Sequence, residues 1–161
     1  MDVREPIAAQ YMAALEMLKG AITACPDALW QRAGDITPFW QVAYHALFYT
    51  NLYLNESEQA ITLWPGHREE YRHEKPHDGP APEPASKPTV LEFLAHCQNF
   101  VRQQVPALAL DAPSGFGWLP LTKFELQIYS IRHIQQHAGE LMERLGADAT
   151  GLDWVGTYRL E

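Results

Sequence analysis

The segment TKFELQIYSIRHIQQHAGELMERLG, Thr122 to Gly146, opens with a threonine three residues before a glutamate and closes on a glycine. A Thr-x-x-Glu start is a capping box, in which each side chain satisfies a backbone N–H that the first helical turn leaves bare, and a terminal glycine supplies the backbone freedom that ends a helix. Projected at about 100° per residue, the segment places Phe124, Ile128, Ile131, Ile134, Ala138, Leu141 and Met142 toward a core. Glu125, Arg132, Gln136 and Glu143 fall on a solvent side, and His133 and His137 lie on a shoulder beside Leu126 and Ser130.

Three further segments carry helical period and end signals. The first opens at Asp2, with Glu5 and Pro6 in its first turn, repeats apolar residues at Ile7, Tyr11, Leu15, Leu18 and Ile22, and ends near Cys25-Pro26. The second starts at Thr37-Pro38 and is predicted to run through FWQVAYHALFYTNLYLNESEQAI. The third is predicted from a capping box at Thr89 and Glu92, with Val90, Leu94, Cys97, Val101 and Val105 on one side before Pro106 stops it. No segment alternates like a strand. Four amphipathic helices bury their apolar sides most economically against one another, so the expected fold is all-α, a four-helix bundle forming one domain over residues 1–161.

Between the second and third helices lies LWPGHREEYRHEKPHDGPAPEPASKP, with six of the chain's 12 prolines. A connection that long is a crossover, a lid or a mobile segment. The link DAPSGFGWLPL is shorter, and the tail ADATGLDWVGTYRLE, with Trp154 and Tyr158, is expected to pack back on the helices.

Composition narrows the function. A formal charge of −8 with no Lys/Arg run argues against nucleic acid and against an acidic membrane surface. No apolar run reaches the roughly 20 residues of a membrane span. With Cys25 and Cys97 the only cysteines, and no secretory layout in MDVREPIAAQ, a soluble cytoplasmic protein is expected.

The histidines carry the chemistry. Residues four apart on a helix sit one above the other, so His133 and His137 can aim at one point. Taken alone, an HxxxH pair reads first as two partly buried, hydrogen-bonded helix histidines. It does not match metalloprotease motifs: Ile134 stands where HExxH has its glutamate, and Gln136 spoils the inverted HxxEH form. His45, in the second helix, projects among Val42, Ala46, Tyr49 and Leu52, while Tyr44, Asn51 and Asn55 occupy the opposite side. An unpaired polar group buried there costs about 2–7 kcal/mol, so His45 needs a partner. That partner is either a buried tyrosine such as Tyr49 or a cation shared with imidazoles from across the core.

One histidine in a long second helix, a long connection, HxxxH followed by Gly-Glu-Leu in the fourth helix, and a DWVG tail together resemble the DinB/YfiT-like superfamily of metal-binding four-helix bundles. The resemblance implies a divalent metal on His45, His133 and His137, with zinc or nickel foremost and iron or manganese also accepted by imidazole. It implies a homodimer, and in several members the metal activates a low-molecular-weight thiol for transfer to an electrophilic substrate or for isomerisation. Three imidazoles leave a coordination position open, where a bound thiol or water becomes more acidic. The expected function is a metal-dependent transferase activating a small thiol, with hydrolysis by activated water as a close variant. The alternative is a non-catalytic, stress-associated bundle whose metal is structural.

Other groups read as ordinary. Glu140, one turn after His137, projects toward solvent and is expected to be a surface charge rather than an orienter of His137. Tyr49 and Gln41 are neighbours of His45 with no assigned role. His67, His73 and His77, with Glu69, Glu70, Glu74 and Asp78, lie in the proline-rich connection, which reads as a solvated lid. His96 has no ligand partner one turn away, and Cys25 and Cys97 read as packing thiols.

Overall fold

The computed structural model describes residues 2–72, 82–149 and 151–160. It is all-helical, with five α-helices: α1 (Arg4–Ala24), α2 (Asp27–Trp30), α3 (Phe39–Tyr53), α4 (Lys87–Gln104) and α5 (Lys123–Leu145). Among the described residues there is no strand, and the sole bridge joins Pro113 to Thr122. No described helix is long and apolar enough to cross a membrane. The four long helices share one core, in which α1 and α3 each pack against both α4 and α5.

Several helix ends differ from those expected. α5 begins as predicted: the Thr122 hydroxyl accepts from the Glu125 N–H and the Glu125 carboxylate accepts from the Thr122 N–H. α4 starts earlier than Thr89, because Ser86 caps it by accepting from the Thr89 N–H at 3.2 Å and Pro88 fits the first turn, where no amide donor is needed. α1 is flanked by Val3, while the Asp2 carboxylate accepts from the Arg4 N–H. The short α2 was not foreseen; four residues are too few to show a period.

The largest difference is in α3, which ends at Tyr53 rather than running on toward Ile61. Asn51 and Asn55 explain it. The Asn55 amide donates to the Asn51 carbonyl at 2.7 Å, while its side-chain oxygen accepts from the Thr62 N–H and that of Asn51 from the Trp64 N–H. The two asparagines thus close the helix and fasten the returning chain to it. Tyr44, Asn51 and Asn55, on the side opposite His45, are buried beneath that segment. Trp64 stacks on Phe93 at 4.7 Å and Tyr71 packs edge-on against Trp40 and Tyr44. Burying side chains such as Phe39, Leu47 and Phe93 contributes about 1.5–3 kcal/mol each, and α3 is enclosed on nearly every side.

The core face of α5 is also rotated from the one expected. Leu126, Ser130, Ile134, His137, Ala138, Leu141 and Leu145 are buried, whereas Phe124 and Ile128 are 38% and 43% exposed. The apolar residues of this helix cover a wide arc; α1 meets it at Gln127 and Gln135, and α3 at the histidines. In the tail, Leu152, Val155 and Tyr158 pack against the core as expected, but Trp154 does not: it is 70% exposed.

Candidate metal centre

α3 delivers His45 and α5 delivers His133 and His137 to one place. The Nε2 atoms of His45 and His133 stand 3.2 Å apart and those of His133 and His137 3.1 Å apart. One nitrogen from each ring lies within 4.8 Å of the others. Nitrogens about 2.0–2.1 Å from a zinc ion are separated by about 3.3 Å in tetrahedral geometry and about 2.9 Å in octahedral geometry. The two short edges of the triad fall between these values, the spacing that neighbouring ligands of a small divalent ion have.

The far sides of the rings decide which nitrogens face inward. His45 Nδ1 lies 2.8 Å from the Arg72 carbonyl, which can only accept, so the proton resides on Nδ1 and Nε2 presents a lone pair. His137 Nδ1 lies 3.2 Å from a Glu140 carboxylate oxygen, which imposes the same tautomer. His133 therefore faces two lone pairs. Its Nδ1 is buried with no hydrogen-bond partner among the described residues. A neutral His133 with its proton on Nε2 leaves Nδ1 unsatisfied; with its proton on Nδ1, three lone pairs converge. A buried unsatisfied polar atom costs about 1–3 kcal/mol, and a central cation removes the conflict among the lone pairs. Burial, reinforced by the charge that His137 and His45 would carry, pushes the His133 imidazolium down to about 3, so this ring is neutral at physiological pH.

Glu140 corrects an expectation. Its carboxylate does not merely face solvent: it bridges His137 and Arg144, and Arg144 donates from Nη1 to the Thr37 carbonyl at 2.8 Å. This chain fixes His137 to the start of α3. The His137-x-x-Glu140 spacing was a legible signal, since residues three apart share a helix face. The Arg72 carbonyl and Arg144 had none, because both act from elsewhere in the fold. Tyr49 packs beside the triad, its ring 4.8 Å from that of His45 and 5.5 Å from that of His133, but the His45 nitrogens bond elsewhere. Gln41 is buried one turn before His45.

Among the described residues the triad does not gather the other histidines. His67 is no part of a solvated lid: it stacks on Phe48, with Nδ1 3.0 Å from the Tyr44 hydroxyl and Nε2 3.3 Å from Glu69. His73 and His77, with Glu74 and Asp78, lie outside the described residues. His96 stacks on Phe100, its buried Nε2 without a partner among the described residues, and burial lowers its basicity. Cys25 and Cys97 are free and buried; burial pushes the Cys25 thiol up to about 11 and Cys97 higher still, consistent with packing rather than nucleophilic thiols.

A cleft of about 610 Å³ opens beside the triad, with His45 and His133 in its wall and Phe48, Tyr49, Tyr53, Trp118 and Tyr129 around it. His45 and His133 are therefore reachable from this side. No family model, curated protein or solved structure matches the chain.

Proposed function

We propose that His45, His133 and His137 hold a divalent cation, zinc or nickel foremost, in a four-helix bundle of the DinB/YfiT-like kind, and that the protein is a cytoplasmic metal-dependent transferase acting on a low-molecular-weight thiol and an electrophilic substrate. The observation that carries this reading is the convergence of three Nε2 atoms whose opposite nitrogens are held, for His45 and His137, by a carbonyl and a carboxylate. Such a cation supplies Lewis acidity, lowering the pKa of a thiol or water placed beside it. The chain's own residues do the rest. Glu140 and the Arg72 carbonyl keep two rings in the ligating tautomer, and Arg144 holds Glu140 in place. Aromatic side chains line the cleft beside His45 and His133.

A second reading, a structural staple without catalysis, is favoured by the placement of the ligands on two separate helices: a cation there ties α3 to α5. Metal content of the native protein beside His137→Ala, followed by thiol titration of the cobalt(II)-substituted protein, separates the two. The transferase reading expects about one ion per chain, lost in the variant, and a sulfur-to-cobalt charge-transfer band on adding thiol. A bound ion indifferent to every thiol leaves the staple. No stoichiometric ion overturns both.

A further inference from the structure

Gln127, Ser130 and His133 follow one another at intervals of three along α5, a spacing that makes them neighbours on the helix surface, with Cβ atoms about 5–6 Å apart. The three are bonded very unequally. Gln127 Nε2 donates to the Lys123 carbonyl at 3.1 Å, and its Oε1 accepts from the Tyr11 hydroxyl of α1 at 2.9 Å. Ser130 is fully buried, and its Oγ has no hydrogen-bond partner among the described residues. His133 Nδ1 is in the same condition. A buried hydroxyl in a helix ordinarily bonds the carbonyl one turn earlier, as Thr50 does with Ala46 at 2.7 Å; Ser130 does not. Leaving one buried polar atom unpaired is unfavourable, and two on adjacent side chains of one helix are most simply accounted for by each other.

The neighbouring bonds set the direction in which such a pair is polarised. An amide oxygen only accepts, so Tyr11 gives its proton to Gln127 and its own oxygen keeps lone pairs. Burial raises the Tyr11 phenol above its ordinary range, so it stays protonated, and the Ser130 hydroxyl acts on it the other way from close by. Ser130 can therefore direct its proton to Tyr11, which leaves the serine oxygen as an acceptor. A neutral His133 that turns a lone pair at Nε2 toward His45 and His137 carries its proton on Nδ1 and needs an acceptor there. Donors and acceptors then run in one sense, from His133 to Ser130, Ser130 to Tyr11, Tyr11 to Gln127, and Gln127 to the Lys123 carbonyl.

We propose that Ser130 is a positioning residue for His133: its hydroxyl, turned about one torsion, accepts from Nδ1–H and holds the ring with Nε2 inward, while Tyr11 and Gln127 orient the hydroxyl. The proposal rests on the metal reading for the direction of the His133 proton, and on the two unpartnered atoms for the contact itself. The Arg72 carbonyl and Glu140 hold the outer nitrogens of His45 and His137. Ser130 does the same for the third ring from inside the core, and through Tyr11 and Gln127 it links the site to α1.

Nitrogen-15 spectra of the histidine-labelled protein at pH 7, metal-free and with stoichiometric zinc, test this against Ser130→Ala and Ser130→Thr. Ser130→Ala is expected to shift the His133 Nδ1 resonance in both states. In the zinc form the proton on Nδ1, downfield and slow to exchange in the native protein, should move upfield and exchange faster. Competition with a chromophoric chelator should show zinc affinity lowered about tenfold by Ser130→Ala, the low end for loss of a group that orients a ligand, and mostly restored by Ser130→Thr, which keeps the hydroxyl. The serine hydroxyl holds no other bond among the described residues, so alanine leaves the fold intact. An unmoved Nδ1 resonance, equal zinc affinity in native protein and Ser130→Ala, or no rescue by Ser130→Thr overturns the proposal. Zinc bound by the native protein with Nδ1 unmoved by Ser130→Ala sinks this proposal alone; a moved Nδ1 in protein that takes up no zinc sinks the metal reading and leaves the contact between Ser130 and His133 standing.

Discussion

His67 and the histidine triad both meet α3 and have opposite bonding. His67 gives both ring nitrogens to protein partners, Tyr44 and Glu69, and stacks flat on Phe48. His45 and His137 bond through Nδ1 to a carbonyl and a carboxylate, and their Nε2 atoms stand 3.2 Å and 3.1 Å from that of His133. The difference teaches that burial and proximity do not make a ligand. A histidine becomes one when its outer nitrogen is pinned and its inner nitrogen has only other lone pairs to face. His67 fastens a connection to α3, whereas the triad brings nitrogens from three rings together, the arrangement that the proposed cation requires.

The contrast is most directly broken at His133. His133→Ala should lower divalent-metal affinity by roughly a thousandfold or more, since two remaining imidazoles cannot define the site, while His67→Ala should leave metal stoichiometry unchanged by elemental analysis. Equal loss in both variants would erase the distinction. Next in size is Glu140→Ala, which frees the His137 ring; a loss of about 10–100-fold in metal affinity is expected, read by competition with a chromophoric chelator, with Glu140→Gln retaining part of it.

Acid sharpens the comparison. In metal-free protein the His133 ring is depressed to about 3 when folded, against an ordinary 6.5. Below 6.5 the unfolded chain binds a proton that the folded one refuses, so stability is intact above pH 6.5 and falls progressively as pH drops toward 3. Melting temperature followed from pH 7 to pH 4 should decline, and less steeply in His133→Asn, which has nothing to titrate. Asn51→Ala should destabilise the fold by about 1–3 kcal/mol by leaving the Trp64 N–H without its acceptor, with metal affinity little changed. The smallest effect is expected of His67→Phe, about 1 kcal/mol in denaturant unfolding, because the stack on Phe48 survives and only two hydrogen bonds are lost.

Legibility in the sequence followed the range of the forces involved. The capping box at Thr122 and Glu125, the proline stop after Val105 and the apolar period of α1 are local, and each was readable from a few adjacent residues. The end of α3 was not, because asparagine side chains terminate it by bonding to chain seven to thirteen residues further on. The buried side of α5 was misassigned toward Phe124 and Ile128, since a helix with apolar residues over a wide arc can be docked at more than one rotation and its neighbours choose. Glu140 was misread for a related reason: a helical wheel shows a direction, not the partners waiting there.

By itself the sequence determined that the chain is helical, where its long helices lie, and that three histidines stand at positions able to meet; these depend on backbone propensity and on spacing along one helix. Only the tertiary structure decided that His45 comes within 3.2 Å of His133, and that a carbonyl from residue 72 and a carboxylate from residue 140 turn two rings inward. Those facts belong to contacts between distant parts of the chain, where the rotation and separation of packed helices, rather than any local preference, set which atoms face one another.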